Sequence, residues 1–70
     1  MITLTVNGVL KNYLPEDAPK TILELIEQQK LYKKTVVAEV NGTIIPLDQY
    51  ESSAIENGMV IELVQFVGGG

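Results

Sequence analysis

Residues 21–28, TILELIEQ, carry the clearest helix signal in this chain of 70 residues. Thr21 lies three residues before Glu24, which is the spacing of a capping box at the start of a helix. The apolar residues that follow share one face at helical spacing: Ile22, Leu25 and Ile26. The segment therefore predicts an amphipathic helix with one buried side, which the surrounding elements have to cover.

On both sides of the helix, apolar and polar residues alternate with the period of a half-buried β-strand. Two such segments precede it, residues 2–6 and 9–14, and three follow it, residues 36–40, 43–47 and 59–67. Asn-Gly pairs, which tolerate the positive φ of tight turns, mark three of the strand ends. These pairs are Asn7-Gly8, Asn41-Gly42 and Asn57-Gly58.

The second and fourth predicted strands contain residues that limit which face is buried or where the strand can lie in a sheet. In the second strand, Val9 and Tyr13 compete with Leu10 and Leu14 for the inward face, and the pattern leaves both choices open. In the fourth strand, Pro46 has no N–H to donate, so this strand is confined to a sheet edge or ends at the proline.

The order of the elements predicts an α+β fold. A helix between strands usually packs across one face of the sheet they form, and two layers then share one core. We expect a mixed sheet of four to five strands with one main helix on one face. The sequence predicts one domain over residues 1–67 and a flexible glycine tail over residues 68–70.

The composition argues against an enzyme, a metal protein and a nucleic-acid-binding protein. The chain has no Cys and no His, so it lacks a thiolate nucleophile, the usual general base and the commonest metal ligand. Its net charge is -4 and its only basic residues are five lysines, whereas phosphate backbones require clustered Lys and Arg. No signal peptide or membrane span is recognisable, and we expect a cytoplasmic protein.

The end of the chain is the most informative segment. The last predicted strand leads directly into Gly68, Gly69 and Gly70. Glycine has no side chain, so we expect a mobile arm, slim enough to enter a narrow channel in a partner and ending in a carboxylate. The alternative is a frayed terminus without function, and the hydrophobic strand directly before the glycines argues against it.

The last strand also predicts a docking surface beside this tail. Ile61 and Leu63 are assigned to the core face. The apolar residues of the opposite face are predicted to dock a partner: Val60, Val64 and Phe66, with Val67 at the margin. An exposed apolar patch on a small protein is commonly such a surface. The alternative is that loops partly cover this face.

The whole chain resembles the ThiS family, the sulfur carriers of thiamine biosynthesis, which have the β-grasp (ubiquitin-like) fold. The resemblance is carried by residues 38–42, AEVNG, with Ile45-Pro46, by the Asn57-Gly58 turn and by residues 62–70, ELVQFVGGG. Met59 departs from the family, which often has Asp after the turn glycine. This departure bears on the stability of the turn and not on the chemistry.

The resemblance implies a carrier cycle in which this chain has no catalytic residue, binds no metal or cofactor, and acts as a monomer when free. An E1-like adenylating enzyme uses ATP and magnesium to adenylate the carboxylate of Gly70. Sulfur from a cysteine persulfide then replaces AMP and leaves a thiocarboxylate. Thiazole synthase receives the tail, Gly68 to Gly70, and takes the sulfur. The chain contains no phosphate-binding loop, which agrees with activation in trans.

Two other interpretations stay open at this point. The chain resembles, in its tail alone, carriers of molybdopterin synthesis or of another thiocarboxylate-dependent pathway. It also has the features of a ubiquitin-like interaction module, in which the sheet binds a partner and the tail is inert. Deletion of Gly70 separates a carrier from such a module.

Overall fold

The computed structural model describes residues 1–66, and the predictions made for Val67, Gly68, Gly69 and Gly70 lie outside the described residues. The strands are β1 (Ile2–Val6), β2 (Val9–Tyr13), β3 (Val36–Val40), β4 (Thr43–Ile45) and β5 (Val60–Gln65). The helix α1 (Ile22–Gln28) lies between β2 and β3, and short 3-10 turns occupy Lys33–Thr35 and Leu47–Gln49. The predicted order of strands and helix is confirmed.

The strands form one five-stranded sheet in the order β2-β1-β5-β3-β4. Its central pair, β1 and β5, runs parallel, and the other neighbouring pairs are antiparallel. The predicted α+β class, with a mixed sheet and one main helix, is therefore confirmed. The last strand lies in the middle of the sheet, between the first strand and the third. No helix within residues 1–66 is long and apolar enough to cross a membrane.

The helix begins where the sequence predicts. The Thr21 hydroxyl accepts a hydrogen bond from the Glu24 backbone N–H at 3.1 Å, which satisfies one of the free donors at a helix start. The Glu24 carboxylate reaches back to the Lys20 N–H at 2.9 Å, one residue before the position that a standard capping box uses. The predicted apolar face is fully buried: Ile22, Leu25 and Ile26.

The core lies between this helix and one face of the sheet. β1 contributes Leu4 and Val6, β3 contributes Val36 and Ala38, and β5 contributes Ile61 and Leu63. Each pair is separated by one residue, so the intervening side chains point to the opposite face. The prediction that Ile61 and Leu63 face the core is confirmed.

Three predicted strands are shorter in the structure. β2 ends at Tyr13 and β5 covers Val60–Gln65, while β4 stops at Ile45 because Pro46 has no N–H and leads into the 3-10 turn. In β2, Tyr13 packs against the core and Leu10 is exposed, which resolves the open choice of inward face. Val9 lies on the same face as Tyr13 but stays exposed at the sheet edge.

Tyr50 closes the core on the side where β4 ends. Its side chain is buried, and its hydroxyl donates to the Val36 carbonyl at 2.6 Å and accepts from the Ala38 N–H at 3.2 Å. β4 pairs with β3 only from Ala38 to Val40. The Tyr50 hydroxyl therefore bonds to β3 at Ala38, the last position paired with β4, and at Val36, which lies beyond that pairing.

Candidate functional site

The candidate site has two parts, the exposed face of β5 and the chain end that follows it. Val60, Val64 and Phe66 are 49%, 59% and 56% exposed, whereas Ile61 and Leu63 on the opposite side of the strand are buried. These exposures do not support the alternative that loops cover this face. The prediction that these three apolar side chains are exposed is confirmed, and their role in docking stays a prediction.

The apolar surface extends beyond β5 to the neighbouring strands. Residues directly opposite each other in a sheet share a face, and Val64 lies opposite Val37 of β3. Ile44 of β4 and Leu10 of β2 point the same way and are 62% and 64% exposed. We call this surface the outer face and define it by six side chains: Leu10, Val37, Ile44, Val60, Val64 and Phe66. The sequence prediction missed the first three, because alternation within a strand does not say which strands are neighbours.

Two carboxylates interrupt the outer face. Glu62 of β5 lies directly opposite Glu39 of β3 in the strand register, and Ile44 flanks the pair on the side of β4. Like charges directly opposite each other destabilise a sheet, so this pair does not serve the stability of the isolated domain.

Phe66, the last described residue, is held by a backbone hydrogen bond to the segment before β3. The Phe66 N–H donates to the Thr35 carbonyl at 3.0 Å, which extends the pairing of β5 with β3 by one residue beyond β5. Thr35 is itself held, because its hydroxyl donates to the Tyr32 carbonyl at 3.1 Å. The last described residues therefore continue the central strand alongside β3, next to the apolar side chains of the outer face.

The predicted reacting group lies beyond this point. Gly70, the predicted tail residues Gly68 and Gly69, and the predicted docking residue Val67 fall outside residues 1–66, so their roles stay predictions. Among the residues that the structure describes, no three acidic side chains come together as a metal-binding group.

Comparisons with known proteins agree in pointing to one family. A model of the ThiS family matches residues 4–70. The sulfur carrier protein ThiS of Bacillus subtilis is 40% identical over 50 residues, which cover 71% of this chain and 76% of that protein. A thiazole synthase of Paramagnetospirillum magneticum is 31% identical over 67 residues, 96% of this chain. The match spans 20% of the length of that synthase.

Solved structures show the same likeness at the level of the fold. The crystal structure of the thiamine biosynthesis protein ThiS from Geobacter metallireducens has a TM-score of 0.79 and 27% identity, and the match covers 99% of this chain and 100% of that one. The solution structure of a thiamine biosynthesis protein from the same organism gives a TM-score of 0.78 at 27% identity, with coverage of 99% and 88%. The predicted β-grasp fold is confirmed.

Proposed function

The chain belongs to the ThiS family, and from this membership we propose that it carries sulfur for thiazole formation in thiamine biosynthesis. The observation that carries the proposal is the family match over residues 4–70, because it includes the three glycines that a carrier needs at its end. In this role the chain is a cosubstrate of partner enzymes and performs no catalysis itself. The predicted monomeric state and cytoplasmic location belong to the same proposal.

The reacting group of the proposed cycle is the carboxylate of Gly70. A carboxylate resists nucleophiles, because its charge and its resonance both oppose attack at carbon. An E1-like enzyme, with ATP and magnesium, joins a carboxylate oxygen to the α-phosphorus of ATP and releases pyrophosphate. The acyl adenylate no longer carries the negative charge of the carboxylate, and AMP is now a leaving group on the carbonyl carbon. The outer sulfur of a cysteine persulfide attacks the acyl carbon and displaces AMP, which gives an acyl disulfide. A second thiol then attacks the cysteine sulfur of that disulfide, so that the S–S bond breaks, a new disulfide forms on the donor and a thiocarboxylate remains on Gly70.

The proposed acceptor of the sulfur is thiazole synthase. A protein of that name contains a segment that is 31% identical to 67 residues of this chain, which supports a functional link between carrier and synthase. The tail, Gly68 to Gly70, is proposed to enter the active sites of both partner enzymes. Glycine suits this task, since a narrow channel would exclude any larger residue.

The outer face is proposed to be the surface by which partners hold the carrier. Val60, Val64 and Phe66 supply exposed apolar area on a paired, central strand, with Val67 proposed to extend it. Glu39 and Glu62 give this surface a negative centre, so the matching partner surface is apolar with a basic group in the middle. Such complementarity mainly raises the rate and fixes the orientation of encounter.

Intact mass spectrometry tests the proposed function. The chain is incubated with the activating enzyme, ATP, Mg²⁺ and a sulfur source, and exchange of one carboxylate oxygen for sulfur adds about 16 Da at the activated acyl group. A chain lacking Gly70 is the matched control. It retains every described core residue, so its thermal unfolding should match that of the full chain while its mass stays unchanged. Sulfur transfer by the shortened chain would refute the carrier function.

A further inference from the structure

Asn7 has a second task beyond its place in the Asn7-Gly8 turn. Its side-chain Oδ1 accepts a hydrogen bond from the Leu63 N–H at 2.7 Å, and its Nδ2 donates to the Leu63 carbonyl at 3.1 Å. One side-chain amide thus satisfies both backbone groups of a single β5 residue. The two residues are 56 positions apart in the chain, so this contact belongs to the tertiary fold and not to the turn.

The amide of Asn7 continues the parallel pairing of β1 with β5. The backbone N–H groups of Thr5 and Asn7 donate to the carbonyls of Met59 and Ile61 at 3.0 and 2.9 Å. The next backbone groups along β5 that face β1 belong to Leu63. At Asn7, however, φ is 50° and the main chain turns away toward β2. The side-chain amide, which has the same donor and acceptor chemistry as a peptide group, takes the place of the missing strand residue.

Leu63 is consequently the last residue of β5 that is held from both sides. Beyond it, β5 pairs with β3 alone, through Val64, Gln65 and the Phe66 N–H. The last three described residues are therefore held by β3 on one side and by their chain connection to Leu63. Without Asn7, the Leu63 N–H and carbonyl lose their partners on the β1 side, and the end of β5 has one neighbour fewer to define its direction.

We propose that Asn7 is a positioning residue for sulfur transfer, whose side-chain amide fixes Leu63 and thereby the direction in which β5 presents the chain end to partner enzymes. The inference rests on the proposed function. A reacting atom at the end of a chain has to arrive within a fraction of an ångström of its target, and a misplacement of about 1 Å costs on the order of 100-fold in rate.

Asn41 provides a matched control within the same chain. It also precedes a glycine in a tight turn, has φ of 50°, and accepts a hydrogen bond from a β5 N–H, in this case that of Val60 at 2.9 Å. Val60 is at the opposite end of β5 from Phe66. Replacing either asparagine by glycine keeps a residue that tolerates positive φ and keeps the backbone bond to β5, but removes the side-chain bonds to β5.

The experiment compares the full-length wild type, N7G and N41G as substrates of the activating enzyme with ATP, Mg²⁺ and a sulfur source. The rate of the mass gain is measured over a range of carrier concentrations, and amide hydrogen exchange and thermal unfolding are measured on each chain. We expect N7G to lose about tenfold in kcat with a smaller change in KM, since the outer face is intact. In N41G, kcat should stay within about twofold of wild type.

Hydrogen exchange shows whether the cause is local. The Leu63 amide should exchange faster in N7G, and the Val60 amide should exchange faster in N41G. Should N7G fail to fold, Asn7→Asp keeps the acceptor for the Leu63 N–H and loses the donor to its carbonyl. We expect this variant to fold and to lose about threefold in kcat.

The outcomes distinguish a failure of the positioning role of Asn7 from a failure of the sulfur-carrier function. If wild type reacts and N7G keeps the kcat of N41G, or if N7D in its folded form keeps the wild-type kcat, the positioning role of Asn7 is wrong. An unchanged exchange rate at Leu63 in N7G would also overturn it. If the wild-type chain gains no mass with an active partner, the sulfur-carrier function itself is wrong, and the role of Asn7 falls with it.

Discussion

Replacing Tyr50 by phenylalanine removes one oxygen atom that is bonded to two backbone groups of β3. Only 3% of Tyr50 is exposed, and a phenylalanine ring fills nearly the same volume. The substitution therefore leaves no large cavity. Its main effect is on the Val36 carbonyl and the Ala38 N–H, which bond to the hydroxyl at 2.6 and 3.2 Å.

The expected loss of stability follows from these two groups. A buried backbone donor or acceptor left without a partner costs about 1–3 kcal/mol, and the hydroxyl itself no longer has to be desolvated, which offsets part of the loss. We expect Tyr50→Phe to lower the free energy of unfolding by about 2 kcal/mol. The total free energy of unfolding of a domain of this size is roughly 4–10 kcal/mol, so the expected loss is a large fraction of its stability. The corresponding drop in Tm is roughly 8–16 °C.

Urea and thermal unfolding followed by far-UV circular dichroism measure the change. Tyr32→Phe is the control, because Tyr32 is 57% exposed and its loss should change the free energy of unfolding by less than about 0.5 kcal/mol. Hydrogen exchange should also speed up at the Ala38 amide in Tyr50→Phe. If the two variants unfold at the same urea concentration, the account of Tyr50 as a replacement for missing β4 pairing is refuted.

Three further predictions concern the site. Phe66→Ala or Val64→Asp should weaken partner binding about tenfold or more, while the free energy of unfolding changes by less than about 0.5 kcal/mol because both residues are more than half exposed. If calorimetry with the activating enzyme finds unchanged affinity, these residues do not take part in docking. Replacing Glu39 and Glu62 together by glutamine should slow association at low salt and make the association rate less dependent on salt. The free energy of unfolding of the isolated domain should rise by a few tenths of a kcal/mol. If stopped-flow binding shows the same salt dependence as wild type, the proposed basic group on the partner is wrong. Deleting Gly70 should abolish the mass gain and leave Tm unchanged, as measured by intact mass and thermal unfolding.

The features that the sequence predicted correctly are those set by local periodicity. The cap at Thr21 and the buried face containing Leu25 follow from residues within one or two turns of each other. The alternation of β5 likewise separated the buried Ile61 from the exposed Val60 without any knowledge of neighbouring strands. These are the positions where intrinsic preference and tertiary burial agree.

The features that the sequence did not predict depend on pairing between distant segments. Ile44 joins the outer face only because β4 pairs with β3 in one particular register, which no pattern within residues 43–47 specifies. Asn7 was interpreted as a turn residue only. An Asn-Gly pair indicates a turn, but it gives no information on whether the Asn side chain reaches a distant residue such as Leu63.

Asn7 and Tyr50 solve the same physical problem at two places in the sheet. β1 turns away before β5 has ended, and β4 stops at Ile45, opposite Ala38, before it reaches Val36 at the start of β3. In both cases a side chain supplies the missing partner: the amide of Asn7 for Leu63, and the hydroxyl of Tyr50 for Val36, which also bonds to the Ala38 N–H. A short domain thereby keeps its central strands fixed where regular pairing runs out.

This fixation bears directly on docking. Binding energy is lost when a surface has to be ordered on association, at about 0.5–1.5 kcal/mol for each immobilised side chain and more for backbone. Val60 and Val64 lie on a strand paired on both sides at its start and held by Asn7 at Leu63, so little backbone ordering should remain for a partner to impose. A rigid outer face followed by a glycine tail would let partner enzymes grip the body firmly while the reacting end enters each active site.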